Sequence, residues 1–228
     1  EVYGMSVERT RAIVLRRTNY GEADRIVRLL TPLGQRSVMA KGVRREKSKL
    51  AGGIELFAVS DVVINSGKGD LGIITSARLV QFYRHILEDY DRLQFGYEAI
   101  NLVSKASENI DEPEWYGTLS EVFMGLDVMT IPLQLTQSWF YMHYAELTGY
   151  ELNLERDVTG QVLAPDKTYM YDVSEKGLRL SAQGDITAAH IKLLRIMAAK
   201  PISAIAQIGG VADILPDCWL IARQHAAI

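Results

Sequence analysis

The hydrophobic pattern of this chain changes period near residue 84, and that change limits the fold more than any other feature. Up to residue 83 the apolar residues fall in five short runs rich in Val, Ile and Leu: RTRAIVLRRT (9–18), DRIVRLLT (24–31), QRSVMAKGV (35–43), GIELFAVSDVVINSG (53–67) and LGIITSARLV (71–80). Turn signals such as PLG and NSGKGD divide them, and none carries a helical repeat. Five short strands with no helix between them hide their edges only by closing on themselves, so residues 1–83 are predicted to form a small barrel.

Beyond residue 84 the repeat is helical. Leu119, Val122, Phe123, Leu126 and Met129 fall at the spacing of one helix face within 115–129. Further helices are predicted over 92–108, 133–149, 185–201 and about 211–226. Pro113 precedes a first turn, Gly149 suits a C-cap, Thr187 an N-cap, Pro201 a stop, and Pro216 is expected to interrupt the last helix. Residues 150–184 mix turn formers with β-branched side chains and read as an irregular insert with short strands. The expected fold is therefore α+β: a five-stranded barrel over 1–83, then a mainly helical domain over 84–228.

Charge divides along the same line. The chain has a net charge of -3, yet residues 1–80 hold 14 basic against 8 acidic groups and the remainder holds 11 against 20. Five cations, Lys41, Arg44, Arg45, Lys47 and Lys49, crowd the segment between the third and fourth predicted strands. Arg16, Arg17, Arg25, Arg28 and Arg36 lie on neighbouring strands and turns. A loop of cations backed by arginines is a surface for a polyanion, because neutralising phosphates releases counterions and Arg adds a bidentate fork. Between Met5 and Val80 the only aromatics are Tyr20 and Phe57, so base stacking has little to work with and binding should follow phosphates more than sequence.

Catalytic signatures are absent: there is no G-x-S-x-G, Walker-type loop or H-E-x-x-H pattern, and no enzyme activity is expected. Lys68 in SGKGD lacks the glycine spacing of a nucleotide loop and reads as a hairpin turn; His143 and Glu146 lack the second pair a carboxylate metal site needs. Cys218, the single cysteine, excludes an internal disulfide and fits a reducing cytosol. No run of about 18 uncharged apolar residues suggests a membrane helix. The start, EVYGMSVERT, is not that of a signal peptide, so a cytoplasmic location is expected. Residues 1–4 read either as native or as an added tail before Met5. On residue chemistry alone, a barrel that binds DNA or RNA and a scaffold whose basic loop docks an acidic protein tail are both open.

The order of motifs narrows this. An I-V-L strand, then YGEADRIV, LT, a glycine, and AKGVRREKSKL resembles the N-terminal domain of the RecO family of bacterial recombination mediators over about residues 10–83. LTGYELNLERD and ITAAHIKLLRIM sit where that family has comparable segments. The resemblance implies an oligonucleotide-binding (OB) barrel and a non-enzymatic role in DNA repair. It implies binding of single- and double-stranded DNA, strand annealing, and cooperation with RecR and single-stranded DNA-binding protein to help RecA load, in the cytoplasm at the nucleoid. Lys41, Arg44, Arg45, Lys47, Lys49, Arg16, Arg17, Arg25 and Arg36 would then contact DNA. Lys192 and Arg195, flanking the apolar face of the helix near 187–199, would rim a socket for the acidic C-terminal tail of single-stranded DNA-binding protein. Many family members carry a four-cysteine zinc module; here Asp157 and Gly160 stand at the first pair and the second, near 177–183, is missing, so no cofactor is expected. Leu152, Leu154, Val162, Leu163, Tyr169 and Tyr171 would hold the insert instead.

Overall fold

Alternation along the first five strands decides the N-terminal architecture. In the computed structural model, which describes residues 6–67 and 69–228, these strands are β1 (Ser6–Tyr20), β2 (Asp24–Thr31), β3 (Gly34–Ala40), β4 (Ala58–Ser66) and β5 (Leu71–Phe82). Lys68 and residues 1–5 lie outside the described residues, and with them the readings of the SGKGD turn and of the chain start. The strands close into a barrel in the order β1-β2-β3-β5-β4. All pairings are antiparallel except the short β3–β5 contact that completes the ring. Ala12, Val14, Val27, Leu29, Val38 and Ala40 point inward with Val62, Ile64 and Ile74 and fill the interior.

A bulge interrupts the β1–β2 register between Val14 and Arg16. The extra residue reverses the alternation. Arg16 therefore pairs with outward Arg28, and Arg17 pairs with inward Val27.

The fourth strand starts at Ala58, five residues later than the sequence predicts. Ala51–Gly53 instead forms a 3-10 turn, with Gly53 so close to Ala77 that a Cβ would lie 2.2 Å from its carbonyl oxygen. Phe57 then adopts φ 57°, a left-handed conformation no strand tolerates. Its ring is buried between Tyr97 and Phe123, at centroid distances of 5.2 and 5.5 Å. The third strand ends at Ala40, short of 43, because Gly42 turns the chain at φ 65°.

Helices α1 (Tyr90–Ala106) and α2 (Pro113–Asp127) belong to the same compact unit as the barrel, residues Glu1–Asp127. The packing boundary is thus at Asp127/Val128, whereas the hydrophobic period changes at 83/84. Phe57 supplies one reason: its ring lies against Gly96 of α1 as well as Phe123 of α2. Arg92, buried in α1, donates to the Gly125 and Leu126 carbonyls at the end of α2. It satisfies acceptors that a helix C-terminus leaves open.

The second unit, Val128–Ile228, contains α3 (Leu133–Leu147), the hairpin β6 (Tyr169–Asp172) and β7 (Gly177–Leu180), α4 (Ala188–Ala199), a single turn α5 (Ile202–Ile205) and α6 (Leu215–Ala226). Thr187 caps α4 in a box closed by the His190 ring. Gly149, at φ 88°, ends α3 as expected. Pro216 does not interrupt the last helix. It sits in its first turn, where the missing N–H has no partner to lose.

In the insert Leu152, Leu154, Leu163 and Tyr169 are buried, but Val162 is 64% exposed and contributes nothing to the core. Tyr171 is held by polar chemistry: its hydroxyl lies 2.8 Å from His225 Nδ1 on α6. At 157–160, the Asp157 carboxylate accepts from Thr159 N, Thr159 Oγ1 and Gln161 N. Val158 N bonds the Leu178 carbonyl on β7. A turn whose one carboxylate accepts three hydrogen bonds on Oδ1, with no His or Cys gathered around it among the described residues, lacks the donor set of a structural zinc site. Among the described residues no group of three or more His, Cys, Asp or Glu side chains is gathered as a metal site, and no helix is long and apolar enough to cross a membrane.

Candidate nucleic-acid interface

The basic segment leaves the barrel at Ala40, at the end where β1 turns into β2. Lys41, Arg44, Arg45, Lys47 and Lys49 are all exposed, while Val43 between them is buried in the barrel core. Leu50 packs against that core at the far end of the segment. Arg44, Arg45, Lys47 and Lys49 are therefore displayed between two apolar anchors, with Lys41 just before the first. Backbone contacts fix the near half: Gly42 N donates to Asp24 Oδ1 at 2.6 Å and Arg44 N to the Ala23 carbonyl at 2.9 Å. Arg44 Nη1 also reaches the Gly21 carbonyl at 3.0 Å, clamping the segment to the β1–β2 turn. Asp24 and the glycine turn are positioning residues that charge counting missed; an acid at the first position of a strand beside a basic loop is the signal for them.

The flanking arginines divide. Arg25 lies at the same end, with Nε donating to its cross-strand neighbour Asn19 at 3.1 Å. Arg17 faces the mouth of the barrel there, bonded to the Ile54 carbonyl and the Glu55 carboxylate. Arg16, exposed on the outer face, has no hydrogen bond or ion pair among the described residues and is free to take a ligand. Arg28 is spent on Gln35 and Ser37, at 2.6 and 2.7 Å.

Arg36 does not join the group. It pairs across the barrel with Glu8, near the start of β1, at the end opposite the basic segment. Its position between two turn-rich motifs in the sequence gave no sign of this. In the second unit Arg195 donates from Nε and Nη2 to the Leu154 carbonyl. It borders an apolar cavity of about 190 Å³ lined by Leu163, Ala164, Pro165, Ala188 and Ile191. Lys192 is exposed one turn earlier and does not line that cavity.

The family described as "Recombination protein O N terminal" matches residues 5–83, the barrel with its basic loop. Similarity to curated proteins runs further. A protein named DNA repair protein RecO from Dehalococcoides mccartyi (strain CBDB1) is 34% identical over 226 residues, 95% of this chain and 88% of that protein. Another of that name, from Roseiflexus sp. (strain RS-1), is 31% identical over 208 residues, covering 86% of this chain and 71% of its own length. With a barrel, a basic loop and this extent of identity in one chain, the protein belongs to the RecO family.

Proposed function

We propose that this protein acts in DNA repair as a recombination mediator, gripping the phosphate backbone with Lys41, Arg44, Arg45, Lys47 and Lys49. Arg16, Arg17 and Arg25 lie along the path. The observation that carries this reading is the clamped loop: Arg44, Arg45, Lys47 and Lys49 are exposed between buried Val43 and packed Leu50, Lys41 is exposed between buried Ala40 and Val43, and the backbone is tied to Asp24 and Ala23. A preorganised array of this kind loses less entropy on binding than a free tail of equal charge. Arg36, ion-paired to Glu8 at the other barrel end, is left outside the path.

The role is non-enzymatic and suits the cytoplasm at the nucleoid. Both single- and double-stranded DNA are substrates, because phosphate contact does not depend on base identity. Holding strands by their backbones leaves the base edges free to pair, which is what annealing requires. The apolar cavity beside Arg195 is a socket for the acidic tail of single-stranded DNA-binding protein, with the guanidinium meeting a carboxylate; RecR is a further partner, and RecA profits indirectly.

The test is annealing of complementary oligonucleotides coated with single-stranded DNA-binding protein. The wild type should accelerate it, and Arg44→Glu with Arg45→Glu should abolish the acceleration while leaving the thermal midpoint within error, since exposed charges contribute little to stability. Unchanged annealing by the double variant would remove the loop from the site.

A further inference from the structure

The outer face of β1, β4 and β5 carries cations that take no part in the loop. The register sets Arg11 opposite Asp61 and Asp61 opposite Arg78, one row across three strands. The next row sets Arg9 opposite Val63, and Val63 opposite Ser76. Because Ala12 and Val62 point into the barrel, Arg9, Arg11, Asp61 and Arg78 point out. Asp61 takes one guanidinium on each oxygen: Arg11 Nε at 2.8 Å on Oδ1, and Arg78 Nη2 at 2.8 Å on Oδ2. The bonds from Arg78 and Arg11 hold its carboxyl below the ordinary aspartate range, so the brace stays ionised at neutral pH. Both guanidiniums keep N–H groups in solvent, the Arg78 side chain being 79% exposed and that of Arg11 53%. With Arg9 they frame a shallow groove of about 510 Å³.

This groove is separate from the loop. Ile13 and Leu15, on β1 between Arg11 and Arg16, are 0% and 5% exposed, so buried strand separates the two sets of cations. The interval is about 16 Å of strand. Within the groove, Arg9 and Arg11 are about 7 Å apart along β1, and Arg11 and Arg78 about 10 Å apart across two strand spacings. Three planar forks with free N–H groups match phosphate oxygens. Besides the charged groups the lining holds only Thr10, Val62, Val63 and Ser76, with no aromatic or long aliphatic side chain, and a phosphodiester backbone needs none. Half-buried Tyr116 on α2 stands close enough to Arg11 and Asp61 for their charges to act on its phenol.

We propose that the groove framed by Arg9, Arg11 and Arg78 is a second single-strand site, binding phosphodiester backbone independently of the loop. One barrel then holds two strands, the arrangement annealing needs, without a second protomer. The inference rests on the nucleic-acid reading of the loop and deepens it.

The probe is labelled oligothymidylate of about 8 nucleotides, within the span of one OB barrel, titrated against the full chain. Two oligonucleotides should bind per wild-type chain, one after Arg44→Glu/Arg45→Glu, one after Arg9→Gln/Arg78→Gln, and none after all four changes. In the loop variant, adding Arg78→Gln alone should flatten the slope of log affinity against log salt by about 0.7 for one lost phosphate. Arg9→Lys/Arg78→Lys should retain binding, which separates charge loss from misfolding. A single wild-type oligonucleotide, lost completely in the loop variant, would overturn the second site and leave the loop reading intact. No binding to wild type would overturn both. If poly-glutamate but not the oligonucleotide binds the loop variant through Arg9 and Arg78, the groove is a peptide surface and the proposal falls.

Discussion

Replacing Gly96 by Ala should change the sign of its effect with the residue at position 57. A Cβ on Gly96 would lie 2.6 Å from Phe57 Cε1 and 3.2 Å from Cζ. The ring cannot retreat, since it is 1% exposed and wedged edge-on between Tyr97 and Phe123. Overpacking of this kind costs about 1–3 kcal/mol, while Gly→Ala inside a helix returns about 1 kcal/mol. In the wild type Gly96→Ala should therefore be destabilising by up to about 2 kcal/mol. Phe57→Ala alone should cost about 3–5 kcal/mol. In that background the ring is gone, so Gly96→Ala should stabilise by about 1 kcal/mol, its propensity gain with part of the cavity filled. Urea unfolding of the four chains, followed by circular dichroism and tryptophan fluorescence, gives the cycle. If Gly96→Ala has the same effect in both backgrounds within about 0.5 kcal/mol, the two positions are independent. Phe57 is then not what joins the barrel to α1 and α2.

Three further outcomes follow from other contacts. His225 is buried between the Tyr171 hydroxyl and the Tyr150 carbonyl, and burial pushes its pKa below the usual 6.5. A depressed histidine contributes stability that is complete above about 6.5 and lost as pH falls through the lower folded value. The wild-type thermal midpoint should drop below pH 6.5 more steeply than that of His225→Gln; parallel curves would contradict this. The protein should hold no stoichiometric zinc and keep its melting curve in chelator, because hydrogen bonds close the Asp157 turn; elemental analysis finding about one zinc per chain would refute it. Arg195→Glu should weaken binding of an acidic, Phe-ending tail peptide about tenfold or more, as a charge at the socket rim is reversed. Equal binding would exclude that socket.

What could be read in the sequence follows from where the information is local. The barrel strands and most helices have periods that express their environment directly, so they were legible within a few residues. The start of β4 was not: GIELF has strand-like composition, but Gly53 is pressed against Ala77 and Phe57 is turned to left-handed φ by contacts more than 20 residues away. The loop cations were legible because they are clustered within residues 41–49 and solvent-facing. Arg36 was not, since its Glu8 partner is 28 residues distant and only barrel closure brings them together. Arg9, Arg11 and Arg78 escaped for the same reason: each is an isolated arginine until the β1–β4–β5 register sets them around Asp61. The β1 bulge, with no Gly or Pro to mark it, decided which of Arg16 and Arg17 faces outward.

The most direct test of the central claim, that the loop binds through phosphates, is the salt dependence of single-strand affinity, measured with Arg9→Gln/Arg78→Gln so that the loop is read by itself. Lys41, Arg44, Arg45, Lys47 and Lys49 are exposed, and Arg16 is free beside them. If about four to six of these reach one strand, the slope of log affinity against log salt should be about −3 to −4, at roughly −0.7 per phosphate. Affinity should vary little among homopolymers, because no loop residue offers a stacking face. A slope near about −1 with strong preference for one base would mean that base contacts dominate. The loop would then be a sequence reader, and backbone binding would be the wrong account of this barrel.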